Sequence, residues 1–175
     1  MYRPIAMACS ITAAMSLFTP HASAQTSTNV VDSKSDWSVF VENEPRRCWI
    51  VSKPTKTTNM KAGKPVVVNR SDIRFFITYL PKNGVSGEVS FTGGYPFNPD
   101  STVSLSIGSA KYDLYVDGEY AWPESDAIDS KIRSTMKRGA TAVVKAQSAR
   151  GTVTTDTFSL VGFTAALAEA EKRCK

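Results

Sequence analysis

Histidine is almost missing from this chain, since 175 residues carry only His21, and cysteine is sparse at Cys9, Cys48 and Cys174. Long apolar runs are missing as well, apart from Ile5 to Phe18 near the start. That run follows a single charge, Arg3, and precedes the small residues Ala22-Ser23-Ala24, the three parts of a secretory signal peptide. Residues 1–24 are therefore expected to be a leader cut after Ala24. The run is shorter than the ~20 apolar residues of a bilayer span, and Cys9 lies inside it without a convincing lipobox, so neither an anchor nor a lipoprotein is expected. No stable membrane span should remain after cleavage.

Cleavage would remove both His21 and Cys9. A mature chain without imidazole excludes Ser-His-Asp and Cys-His catalysis and histidine-containing zinc sites, which use that ring as base or ligand. No Cys-x-x-Cys spacing is present, so a thioredoxin-like redox pair is not expected either. Strong charge of one sign is also lacking: the mature chain holds 20 Lys and Arg against 16 Asp and Glu, a balance of +4. These charges are scattered, whereas nucleic-acid domains concentrate them on one face. No nucleic acid, no cofactor and no metal is expected, and the partner is an unknown envelope or host protein.

The remaining pair, Cys48 and Cys174, reads as a disulfide, because exported chains fold in an oxidising compartment. Closing so long a loop contributes ~4 to 5 kcal/mol on the chain-entropy model. About 150 residues suffice for one hydrophobic core, so one domain is expected over residues 36–175, after a polar, flexible leader at 25–35.

Within that domain short runs of β-branched and aromatic residues are separated by Gly, Pro, Asn and Asp, the signature of strands and turns. The runs are Asp36–Val41, Cys48–Ser52, Val66–Val68, Ile73–Tyr79, Gly87–Thr92, Val103–Ile107, Lys111–Val116, Glu119–Trp122, Ala140–Gln147 and Thr152–Ser159. Such spacing predicts a mainly β fold, a sandwich. Asp117-Gly118 predicts a type I′ hairpin turn with positive φ at both central residues. Two helices accompany the strands. One, Glu124 to Arg138, is short and amphipathic and aligns Ile128, Ile132 and Met136; the other, from Thr164 to about Lys172, aligns Phe163, Ala166, Leu167, Ala170 and Cys174 on one face. The C-terminal helix thus turns Cys174 inward, where its partner sulfur is expected.

Two aromatic segments fall in predicted loops or strand ends: Tyr95-Pro96-Phe97 and Tyr120-Ala121-Trp122-Pro123. Tyr95, Phe97, Tyr120 and Trp122 are accordingly candidate partner-binding residues, since aromatics at strand ends supply contact area. Asp113, Asp117, Glu119, Glu124 and Asp126 lie close in sequence and supply the carboxylates of the alternative reading, a periplasmic hydrolase working without histidine. Alternation scatters them over turns and solvated faces. Asp113, Asp117 and Glu119 also lack the dense spacing of a calcium loop.

The segments Ser148-Ala149-Arg150-Gly151-Thr152, Thr155 to Leu160 and Gly162-Phe163-Thr164-Ala165-Ala166 resemble the C-terminal signature of the invasion-associated locus B family. Gly94-Tyr95-Pro96-Phe97, Ala121-Trp122, Met136 to Gly139, Trp37 and Cys48 carry the same resemblance in the same order. It implies an exported protein of Gram-negative bacteria with an immunoglobulin-like β-sandwich, in a family named for a contribution to host-cell invasion. No catalytic residues come with it. Asp156, inside a threonine-rich strand, is expected to serve structurally, in an ion pair with Arg150 or with Arg74, or as the cap of a turn, because buried carboxylates need partners. The function expected is that of a non-catalytic binding protein of the cell envelope, periplasmic, secreted or surface-associated.

Overall fold

The computed structural model describes residues 29–175, so the expected signal peptide at 1–24 lies outside the described residues. Twelve strands form one antiparallel succession: β1 (Val30–Lys34), β2 (Trp37–Asn43), β3 (Arg46–Ser52), β4 (Lys56–Lys61), β5 (Lys64–Pro65), β6 (Arg74–Leu80), β7 (Val85–Thr92), β8 (Val103–Ile107), β9 (Ala110–Asp117), β10 (Tyr120–Trp122), β11 (Thr141–Gln147) and β12 (Val153–Ser159). Their spatial order is β1-β2-β3-β6-β7-β10-β9-β8-β11-β12-β4-β5. Helices α1 (Asp126–Met136) and α2 (Phe163–Arg173) complete the fold.

β9 turns this ribbon into two facing layers. Its first half, Ala110 to Leu114, pairs with β8, and its second half, Tyr115 to Asp117, pairs with β10. The same strand thus belongs to both layers, which fold over a common apolar interior. Alternation decides what enters that interior: in β6 Phe75, Ile77 and Tyr79 are buried while Arg74, Phe76 and Thr78 are half-covered. Rings from the two layers meet edge to face, with Phe158 of β12 5.6 Å from Phe75 and 6.1 Å from Phe91. The mainly β class and the two helices agree with the sequence reading. The immunoglobulin-like strand plan remains what the resemblance implies.

The helices bury the faces their periodicity marked. Phe163, Ala166, Leu167 and Ala170 of α2 are buried against β2 and β3, and Phe163 meets Trp37 at 5.0 Å. The next residue on that face, Cys174, is joined to Cys48 of β3 across a Cα–Cα distance of 5.9 Å. Arg46 donates to the Arg173 carbonyl, satisfying an orphan acceptor at the helix C-terminus.

Helix α1 closes a gap in the sheet. β10 is three residues long and meets β7 only at Phe91 and Thr92, which leaves the earlier part of β7 without a strand on that side. There Asp129 accepts from the Val89 amide at 2.7 Å, and Arg133 donates to the Gly87 carbonyl. A helix side chain of each sign stands in for the missing strand, a way of covering an edge.

Four expectations are corrected. Of the flexible leader expected at 25–35, residues 25–28 lie outside the described residues and Val30–Lys34 is instead strand; it is an edge strand, exposed even at Val30 and Val31, and its ladder with β2 defines it. β4 and β5 are strands absent from the sequence reading, again at an edge and mostly exposed. Val66–Val68, read as a strand, forms no ladder, and only the Val66 amide reaches a strand, donating to the Asn59 carbonyl of β4. The hairpin after β9 closes between Asp117 and Tyr120, and of its residues only Gly118 has positive φ, at 58°, so the turn is not type I′.

Burial pushes the Asp129 carboxyl above its ordinary 3.8, while the Val89 amide and Arg133 pull it back. A raised folded-state value means that Asp129 contributes stability fully present below 3.8 and lost as pH rises through that raised value. Asp129→Asn keeps the acceptor for Val89 and removes the titration. The wild type is expected to gain on this variant as pH falls from neutral toward 3.8 in thermal unfolding; a difference independent of pH would refute the assignment. Asp129→Ala, which strands the Val89 amide, should lose ~1 to 3 kcal/mol at neutral pH.

Candidate functional site

In β12 the inward positions are Thr154, Asp156 and Phe158, so a carboxylate is aimed into the interior beside a phenylalanine. Asp156 is fully buried and requires a cation. Arg70 supplies it from the irregular segment before β6. Its Nη1 donates to Oδ1 at 2.8 Å and its Nη2 to Oδ2 at 2.6 Å, while Nε donates to the Gly93 carbonyl at 2.8 Å. This fork-to-fork geometry is the strong form of the pair. Burial pushes the Asp156 carboxyl up from its ordinary range, opposed by the hydrogen bonds and charge of Arg70.

The expected partners of Asp156 are therefore corrected. Arg150 is exposed on the turn between β11 and β12, and Arg74 pairs with Asp72 at 3.1 Å. Both lie on outward positions, where neither can follow a carboxylate into the interior. The sequence signal for Arg70 was present only as the demand made by Asp156; nothing in a loop residue's neighbours singled it out.

Above this pair lies a cleft of about 330 Å³. Its base is Tyr95, whose ring sits 5.0 Å from the Arg70 guanidinium and whose hydroxyl meets Thr154 Oγ1 at 2.5 Å. Burial pushes the Tyr95 phenol up from its ordinary value, with Thr154 and Arg70 opposing. One wall is Val68 to Ser71, another is the turn carrying Ser148, Ala149 and Arg150, and Glu119 reaches the rim. Gly94 holds the walls together: the Ser71 amide donates to its carbonyl at 3.0 Å, and a Cβ there would lie 2.5 Å from the Ser71 carbonyl oxygen. Its φ of 72° suits glycine alone.

The loop at 94–97 and the turn at 148–152, distant in sequence, are laced together. The Ala149 amide donates to the Pro96 carbonyl at 3.0 Å, and Phe97 bridges Ser148. The four candidate contact residues separate here. Tyr95 lines the cleft. Phe97 is 4 % exposed and stacked on Phe91 at 5.9 Å, so as a contact residue it is corrected: it closes the end of the core. Tyr120 and Trp122 face outward from β10 and stack at 5.6 Å, and Tyr115 of β9 continues the stack at 5.8 Å from Trp122. Tyr115 and Tyr120 are 52 % and 44 % exposed. The sequence reading missed Tyr115, although the hairpin register that pairs it with Trp122 follows from the turn position.

Asp113, Asp117, Glu119, Glu124 and Asp126 are all exposed, along β9, its turn and the approach to α1. Among the described residues no group of acidic, cysteine or histidine side chains is arranged to hold a metal ion, and no helix is long and apolar enough to cross a membrane.

Breaking the buried pair from one side leaves an uncompensated charge. Asp156→Asn is expected to destabilise by ~3 to 5 kcal/mol, and the joint change Arg70→Met with Asp156→Leu to restore much of it, in denaturant unfolding. Arg150→Ala should stay within ~0.5 kcal/mol of wild type; a large loss there would return Arg150 to the pair.

The comparisons with known proteins agree with this architecture. The structure resembles the crystal structure of invasion associated protein B from Bartonella henselae with a TM-score of 0.54, at 12 % identity, over 79 % of this chain and 94 % of that one. At such identity the likeness is one of fold. No curated protein matches the chain. The model of the Invasion associated locus B (IalB) protein family matches residues 37–171, from the buried Trp37 to the last turn of α2. With that match over most of its length, the chain belongs to the invasion associated locus B family.

Proposed function

We propose that this chain is an exported, non-catalytic binding protein of the bacterial cell envelope, which works by contact with another envelope or host protein. The observation that carries this reading is the outward stack of Tyr115, Trp122 and Tyr120 beside the Tyr95 cleft. Aromatic rings of this kind supply large contact area at little entropic loss, and interfaces draw on them as anchors. Export is supported by the Cys48–Cys174 bridge, a bond that persists in oxidising compartments, and by the leader read in residues 1–24. The non-catalytic part is supported by the state of two carboxylates, Glu119, which lines the cleft, and Asp156, which is buried behind the Arg70 of its wall. Asp156 is held by two hydrogen bonds from Arg70, and Glu119 stands exposed on the rim. Membership of a family named for invasion makes host contact the setting in which to look for the partner.

The test has two arms. Mass spectrometry of the protein from the periplasmic fraction should find Gln25 as the first residue and both sulfurs bridged; an intact start or alkylatable thiols would overturn export. Quantitative capture from envelope and host-membrane extracts should then be compared between wild type and the Tyr120→Ser, Trp122→Ser double variant. Loss of about thirtyfold in partner recovery, with unfolding temperature unchanged, is the size expected for aromatic anchors. Equal recovery would remove the stack from the function.

A further inference from the structure

The valines at 66–68 have strand propensity, yet beyond the Val66 amide they meet no strand. The segment from Val66 to Arg70 takes no turn or bend, and its exposure alternates as a strand's does: Val66, Val68 and Arg70 are half-covered, while Val67 and Asn69 are exposed, Val67 fully at 100 %. It is fixed at both ends. The Val66 amide donates to the Asn59 carbonyl at 3.0 Å, and at the far end Arg70 is locked to Asp156 and Ser71 to Gly94. Between those anchors, no backbone amide or carbonyl from Val67 to Arg70 has a hydrogen-bond partner among the described residues. Buried or not, such groups in a held, extended segment are a template for one more strand.

Space for that strand is present, because Val68, Asn69, Arg70 and Ser71 are one wall of the 330 Å³ cleft. Charge selects the occupant. Lys61 and Lys64 precede the segment on the β4–β5 hairpin and Arg150 lines the opposite wall, all exposed and without ion-pair partners among the described residues; of the nearby acids, Asp72 is paired with Arg74 and Glu119 stands exposed on the rim. Lys61 and Lys64 already face each other across β4 and β5, so a second copy pairing on this edge would add lysine to lysine. We infer that residues 66–70 bind an extended, acidic peptide segment of a partner protein by strand addition, with Arg150 receiving a carboxylate of that peptide across the cleft. This deepens the reading of the chain as a binding protein and rests on it. Holding the segment at both ends reduces the ordering loss on binding, which favours a preformed edge over a mobile loop.

The experiment is selection of a displayed library of random dodecapeptides on the disulfide-bonded protein, followed by synthesis of the enriched peptides. Enrichment of acidic sequences free of proline, with slowed hydrogen exchange at the amides of Val67 to Arg70 on binding, is expected. Arg150→Glu should weaken these peptides about tenfold, the scale of one lost charge contact, and a backbone N-methylated version of the best peptide should fail on wild-type protein. The N-methylated arm alters only the peptide, so misfolding of a variant cannot mimic it. No enrichment, enrichment of basic peptides, protection elsewhere, or equal binding of the N-methylated peptide would each overturn the inference. Should any of these occur while Tyr120→Ser, Trp122→Ser still abolishes partner capture, the binding function stands and strand addition alone falls.

Discussion

The pair between Arg70 and Asp156 is the interaction on which the candidate site depends. It crosses from an irregular segment to the inward face of β12, and it is bidentate, so it fixes direction as well as distance. Tyr95 rests its ring on the same guanidinium and anchors its hydroxyl to Thr154, two residues from Asp156 on the same inward face. Without Arg70 the segment at 66–71 would keep only the Val66 and Ser71 amide bonds, and the cleft would lose the wall that Val68 and Asn69 provide. Apolar side chains of similar volume can fill such a position with equal stability, but they carry no direction. The pair here places an extended stretch of backbone where packing alone would leave it free to move.

The fold treats its open edges in contrasting ways. Where β7 runs past the short β10, α1 lies alongside and satisfies Val89 and Gly87 with Asp129 and Arg133. At β1 the edge is largely polar, and at β4 and β5 it carries lysines, both familiar guards against unwanted pairing. The stretch at 67–70 has no such cover over its backbone, although valine favours pairing strongly. A segment rigid enough to pair, bordered by repelling charge, is protected from its own kind and open to an oppositely charged strand.

What the sequence disclosed follows from what enters the core. The faces of α1 and α2, the alternation of β6 and the inward turn of Cys174 were legible because burial imposes a period on residue type. β1 and β4 were not legible, since an exposed edge strand is defined by backbone pairing and its side chains answer to solvent. The valines at 66–68 mark the converse, strand propensity without a strand, since beyond the Val66 amide no neighbour pairs with them. Asp156 announced that it needed a cation, and Arg150 and Arg74 were the nearest in the same motif or strand pattern. Arg70 is separated from Asp156 by 86 positions and sits outside any periodic element, so only the folded chain could bring it forward.

At 12 % identity with a solved structure of the same general shape, little of this fold can depend on particular residues. Ladders and a core of suitable volume and pattern satisfy themselves with many sequences. Function therefore has to be sought where the backbone is not satisfied by the ladder or the side chains are not fixed by the core. In this chain those places converge: the segment at 66–71, the loop at 94–97, the turn at 148–152 and the hairpin that carries Tyr115, Tyr120 and Trp122. Hydrogen bonds from Phe97 to Gly118 and from Ala149 to Pro96 tie three of them into one surface. The residues that the ladder or the core leaves over are thus brought together, and a ligand engaging one of these segments meets the others without any movement of the sheet.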